Sequence, residues 1–189
     1  GVETFGSPEE LLERAECDAV YIGTPMLLHA DQSIQALKAG KHVLCSVTAA
    51  ATLDECWELV ETVEQTGLTY MLDENFCYFR SNMMVQNMVD KGVFGTPTYA
   101  EGFHVSDARP AMFHADGTLK WRGEMARLYR ADQYPTHAVG PIAQWLGVNR
   151  DGGDRFVSMA SWQTSSINSS RFVEANLGPG HPVASPGYF

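Results

Sequence analysis

The sequence predicts an α/β chain: the later half of an open, doubly wound parallel sheet, then the start of an α+β domain with a mostly antiparallel sheet. Three observations carry this. Residues 1 to about 75 alternate helix-like and strand-like segments with short links, and parallel strands need such crossover helices. The strand-like runs are continuously apolar, as in strands covered on both faces. Beyond residue 75 the rhythm changes to helices and alternating strands, so two domains are expected, 1–75 and 76–189.

Each element has its own signal. In "SPEELLERAE", Ser7, Pro8 and Glu10 form a capping box with proline at the first helical position. "DAVYIGT" (18–24) is an apolar strand ending in Gly-Thr-Pro, and "HADQSIQALKAG" (29–40) is a helix stopped by Gly40. "HVLCSV" (42–47) is the second strand. "TLDECWELVETVEQTG" opens on a capping box of Thr52 and Glu55 and sets Leu53, Cys56, Trp57, Val60 and Val63 on one stripe. "TYMLDE" (69–74) is the third strand. "SNMMVQNMVDKG" (81–92) reads as a helix, "PTYAEGFHV" (97–105) as a strand, and a polar loop holding Trp121 and Arg122 runs to about 133. "QYPTHAVGPIAQWLG" (133–147) is a helix with Pro135 in its first turn and Val139, Ile142, Ala143, Trp145 and Leu146 packing; "RFVSMASWQT" (155–164) alternates as a half-exposed strand.

A formal charge of -10, from 13 basic and 23 acidic side chains, repels phosphate backbones and anionic lipid, which argues against nucleic-acid and membrane partners. Cys17, Cys45, Cys56 and Cys77 lack a C-x-x-C spacing and read as reduced hydrophobes rather than a disulfide frame or metal site. No apolar run reaches the roughly 18 residues of a membrane span, and no targeting segment is visible, so a cytoplasmic setting is expected.

Ligands of open α/β sheets bind beyond the carboxyl ends of the strands. Here those ends are Thr24-Pro25, Ser46-Val47 and Glu74-Asn75, three loops expected around one crevice. The glycine-rich G-x-G-x-x-G turn that cradles a dinucleotide's pyrophosphate is absent from the sequence.

With those ends placed, "DAVYIGTPMLLHADQSIQALKAGKHVLCSVTAA" followed by "TYMLDENFCYFR" resembles the Gfo/Idh/MocA family of NAD(P)-dependent oxidoreductases. "ENFCY", "WRGE" and "YPTHAVGPIAQWLGVNR" look most like its branch of NAD-dependent glycosidases typified by α-N-acetylgalactosaminidases. The resemblance implies a Rossmann domain followed by an α/β domain whose open sheet often mediates oligomer contacts. The sequence opens on Gly1, and a piece of a longer, homo-oligomeric protein is expected, without the phosphate-binding start.

The resemblance also assigns candidates. Thr24, Pro25, His29, Ser46, Val47, Asn75 and Arg122 are expected at the cofactor, NAD or NADP with NAD favoured. At Ser46-Val47-Thr48 the family usually has Glu-Lys-Pro, whose lysine assists hydroxyl deprotonation; the glycosidase-like branch has Glu-Val-Pro or Glu-Val-Thr. Val47 carries no titratable proton, so the base must lie elsewhere, and Ser46 replaces the acid of both forms. His104 stands where that branch tends to have a tyrosine facing the sugar, and Trp121 and Arg122 offer a stacking face and a forked donor. Cys77 and Tyr78 are expected to pack beneath the site.

On residues alone, Tyr134 and His137 at the mouth of an apolar helix either close off a core or move protons; the resemblance favours the second, as a catalytic pair that also touches substrate. Three functions follow: an NAD(P)-dependent oxidoreductase transferring a hydride from a sugar-like substrate, a glycoside hydrolase that recycles NAD through oxidation, elimination, addition and reduction, or a non-catalytic dinucleotide- or sugar-binding protein. All three require the strand-end loops and the tip of the later helix to serve one reactive centre.

Overall fold

The computed structural model describes residues 2–129, 134–162 and 167–184, and the chain divides into two compact units, Gly1–Tyr78 and Phe79–Phe189.

The first unit opens with α1 (Pro8–Arg14). Ser7 caps it by accepting from the Glu10 N–H at 3.2 Å, while the Glu10 carboxylate reaches past the cap to the Gly6 N–H at 2.8 Å. Then follow β1 (Ala19–Ile22), α2 (His29–Lys38), β2 (His42–Ser46), α3 (Leu53–Thr66) and β3 (Tyr70–Asp73). The strands form one parallel sheet in the order β1-β2-β3, in a register pairing Ile22 with Cys45 and Ser46 with Asp73. The core gathers Ile22, Ile34, Leu37, Val43, Cys45 and Leu59 between sheet and helices. The α3 capping box is complete: Thr52 accepts from the Glu55 N–H and the Glu55 carboxylate accepts from the Thr52 N–H. Gly67 ends α3 with φ 66°, a left-handed turn that glycine adopts without strain.

Two expectations are corrected here. β1 is not covered on both faces: its side chains alternate, with Ile22 buried on one face and Tyr21 59% exposed on the other. The α3 stripe of Leu53, Cys56, Trp57 and Val60 faces outward, with Trp57 65% exposed, and α3 instead buries Leu59 and Thr62. Thr62 can turn inward because its hydroxyl donates to the Glu58 carbonyl at 2.7 Å, so the polar side chain is satisfied within its own helix.

The second unit contains α4 (Arg80–Asp90), α5 (Arg109–Met112), α6 (Trp121–Tyr129), α7 (Pro135–Trp145) and α8 (Ile167–Leu177). Trp145 of α7 donates its indole N–H to the Asn82 carbonyl of α4 at 3.1 Å. A core of Met112, Phe113, Val173, Val183 and Ala184 joins α5 to α8 and the turn Pro182–Ala184. Trp121 and Arg122 open helix α6 rather than lying in a loop: Gly123 and Met125 point inward, and the Gly123 position lacks room for a Cβ, which would stand 2.5 Å from the Met112 carbonyl oxygen. On α7, Val139 is 40% exposed, and His137 and Pro141 are buried in its place.

The strands expected at 97–105 and 155–164 have no ladder among the described residues, where the only antiparallel pairing of this unit is a single bridge, Phe113 to Leu119. The antiparallel sheet is therefore not formed there. Both stretches lack helix or strand pairing and expose their apolar side chains, Val105 at 92% and Met159 at 92%, because no neighbouring strand offers the hydrogen bonds a ladder needs. Residues 163 and 164 lie outside the described residues.

Candidate functional site

In the first unit the carboxyl ends of β1, β2 and β3 present the three expected loops. After β3 the chain turns through Asn75–Tyr78. Asn75 is exposed and Tyr78 is 51% exposed, whereas Cys77 is buried; burial, then the Glu74 carboxylate, pushes its thiol pKa up. Cys77 packs as expected and Tyr78 does not, so a second phenol is available here that the sequence pattern hid. Glu74 is buried and accepts from the Phe76 N–H at 3.0 Å, shaping the turn that carries Asn75.

The β1 end is held from within. The Thr24 hydroxyl donates to the Gln32 side-chain oxygen at 2.6 Å, and the Thr24 carbonyl lies 2.8 Å from His29 Nε2. Pro25 caps the turn Met26–Leu28. Ser46 is half-buried at the last β2 position, and Val47 is buried, its peptide to Thr48 being cis. His29 is 1% exposed with both ring nitrogens on backbone carbonyls, so it supports the loops from behind instead of presenting its ring to a ligand.

The exposed Asn75 amide and the Ser46 hydroxyl fit the ribose or carboxamide end of a dinucleotide, since an amide both donates and accepts. They offer no charge for its phosphates.

In the second unit the sequence-predicted residues from three separate elements meet. Tyr134 caps α7 and His137 follows one turn inside, with rings stacked at 4.8 Å and an interplanar angle of 5°. Pro135 fixes that first turn, which sets the offset of the two rings. His104 brings its ring edge-on to both, 4.7 Å from His137 and 6.0 Å from Tyr134. It arrives on the extended stretch before α5, which passes so close to α7 that a Cβ on Gly102 would stand 2.8 Å from the Ala138 carbonyl oxygen. Arg122 belongs here: its Nε and Nη2 donate to the Tyr134 hydroxyl oxygen at 3.1 and 2.9 Å, and its guanidinium lies 4.1 Å from the Trp121 ring centroid.

This arrangement suits proton handling. The Arg122 fork occupies the acceptor side of the Tyr134 oxygen, so the phenol's own hydrogen is aimed at a different acceptor. His137 is buried and His104 half-buried beside it. The sequence pattern missed Gly102, whose meaning is a close approach that only coordinates reveal.

Residues 78–189 match the family model described as glycosyl hydrolase 109, C-terminal domain, and residues 1–74 match that of the oxidoreductase family, NAD-binding Rossmann fold. A glycosyl hydrolase family 109 protein of Solibacter usitatus (strain Ellin6076) is 39% identical over 175 residues, which cover 92% of this chain and 39% of the relative. Glycosyl hydrolase family 109 protein 1 of Shewanella sp. (strain ANA-3) is 36% identical over 176 residues, covering 93% of this chain and 38% of the relative. The apo scyllo-inositol dehydrogenase from Lactobacillus casei is 26% identical with a TM-score of 0.46, covering 48% of this chain and 27% of that one. The chain thus spans about two fifths of the length of these curated relatives. It belongs to the glycosyl hydrolase 109 family, with the family's C-terminal domain joined to an NAD-binding Rossmann fold of the Gfo/Idh/MocA type.

Proposed function

We propose that the protein acts on a glycoside by nicotinamide-assisted chemistry, with Tyr134 and His137 moving protons and His104, Trp121 and Arg122 holding the sugar. Thr24, Pro25, Ser46, Val47 and Asn75 supply the loops for the dinucleotide, with NAD favoured over NADP. The observation that carries this reading is the convergence of Arg122, Tyr134, His137 and His104 within a unit of glycosyl hydrolase type.

A dinucleotide held by the Thr24, Ser46 and Asn75 loops would supply reversible hydride chemistry for the sugar. The chain's own part is orientation and proton transfer. Arg122 fixes the Tyr134 oxygen, Tyr134 stacks on His137, and Trp121 backs the guanidinium. Val47 supports the glycosidase form, because a valine cannot serve as the lysine base of a simple dehydrogenase. The NAD-binding match of residues 1–74 favours a second reading, a dehydrogenase releasing an oxidised sugar. Four free cysteines support a reducing, cytoplasmic setting, and the exposed Phe156, Val157, Met159 and Trp162 support self-association of the protein.

The test is turnover of aryl glycosides with NAD by the protein of the complete reading frame. Glycoside cleavage without net build-up of reduced nicotinamide is expected. Stoichiometric build-up selects the dehydrogenase, and ligand binding with no turnover would leave a binding protein and overturn the enzymatic reading.

A further inference from the structure

His29 opens α2, is 1% exposed, and sits between two loops of the sheet's carboxyl edge. Its Nδ1 lies 2.7 Å from the Thr48 carbonyl oxygen and its Nε2 lies 2.8 Å from the Thr24 carbonyl oxygen. A carbonyl oxygen only accepts, so each contact needs an N–H on the ring. Neutral imidazole has one N–H, so only the doubly protonated ring makes both bonds. The two carbonyls belong to different loops, β1 to α2 and β2 to α3.

We propose that His29 is a positioning residue, a buried imidazolium that clamps these two loops together and loosens them when it loses its second proton. This goes beyond the proposed function and stands whether or not the crevice takes a dinucleotide. The Thr24 side has a second tie through Gln32. The Thr48 hydroxyl makes longer contacts, 3.4 Å to the Ala50 carbonyl and 3.9 Å to Met26 Sδ, so the loop after β2 is the one the clamp chiefly holds.

The surroundings bear on the charge. Burial opposes it; the Cys45 sulfur and the Thr48 and Thr24 carbonyls outweigh burial and hold the imidazole up at about 9. Cys45 comes from β2, and Tyr70 from β3 lies behind it, its phenol pushed up by burial and then by Cys45. β1 contributes Tyr21, which is exposed, and α3 contributes Cys56, also exposed. On α2 itself Asp31 is occupied by the Gln35 amide at 2.9 Å. Among the described residues no carboxylate, lysine or arginine contributes to the His29 shift; the Cys45 sulfur is the one side chain that does.

The sign follows from the raised value. Below the ordinary histidine range, about 6.5, the clamp's contribution is fully present; it is lost as pH rises through about 9.

The test uses the 189-residue chain with 15N-labelled histidine. Both His29 ring nitrogens should carry protons at neutral pH and titrate well above the ordinary histidine range. Amide protection at residues 47–51 should then fall about tenfold to a hundredfold through the same window, after correction for the intrinsic base-catalysed rise. His29→Gln keeps donors without titrating and should show no such step. His29→Leu should leave the loop open at every pH; if it fails to fold, the wild type and His29→Gln still decide. A ring that titrates at or below the ordinary range, or a loop with the same pH curve in His29→Gln as in the wild type, overturns the proposal.

Discussion

On the proposed reading Tyr134 and His137 divide their work by position: Tyr134 holds the N-cap position of α7 with its hydroxyl oxygen accepting from Arg122, and His137 follows one turn deeper, buried and stacked on the phenol ring. His137→Asn should therefore lower turnover by about 10²–10⁴-fold, the usual worth of a positioned acid or base, while the melting temperature stays near the wild type. Steady-state kinetics beside a thermal scan separates the two effects. Gly102 tests how His104 is delivered. Its missing Cβ lets the extended stretch lie against α7, and the nearest obstacle is backbone, which cannot swing away. Gly102→Ala should cost about 1–3 kcal/mol of stability, and should raise KM more than it lowers kcat, because His104 moves while Tyr134 and His137 stay. Tyr134, His137, Arg122, Trp121 and His104 were legible in the sequence as candidates, from residue types near helix starts and through family likeness. Their mutual contact was not, because Arg122 and Tyr134 meet only when α6 and α7 pack, and no local pattern encodes that.

Elements were legible where short-range chemistry decides them. Ser7 with Pro8, Thr52 with Glu55, and Pro135 each start a helix in the position expected, since a cap needs only neighbours within one turn. Facing was legible only in part. The apolar stripe on α3 pointed to Trp57 as core, yet the sheet and α2 take Leu59, and Thr62 hides its hydroxyl on Glu58. Two substitutions separate the alternatives by denaturant melts. Trp57→Ser should change stability by no more than about 0.5 kcal/mol, while Leu59→Ala should cost about 2–5 kcal/mol. The reverse order would return the stripe to the interior. Strands in the second unit were illegible for another reason: alternation at 97–105 and 155–162 describes a side-chain pattern, and a strand also needs a partner to bond.

At the scale of the whole molecule, the proposal assigns the strand-end loops of the first unit to a dinucleotide and the ring cluster of the second to a sugar. Raising pH from about 6.5 through about 9 should weaken the first unit as His29 loses one of the two ring protons it donates to the Thr24 and Thr48 carbonyls, visible as a melting transition that His29→Gln flattens. No helix among the described residues is long and apolar enough to cross a membrane. The most direct measurement of the central claim, that Tyr134 and His137 move protons for a redox-assisted glycoside cleavage, is hydrolysis in deuterated water followed by mass spectrometry of the released sugar. Oxidation at C3 acidifies the C2 hydrogen, so the released sugar should carry solvent deuterium at C2, and Tyr134→Phe and His137→Asn should lose hydrolysis and exchange together. Cleavage that leaves C2 unlabelled, or labelling undiminished in both variants, would contradict it.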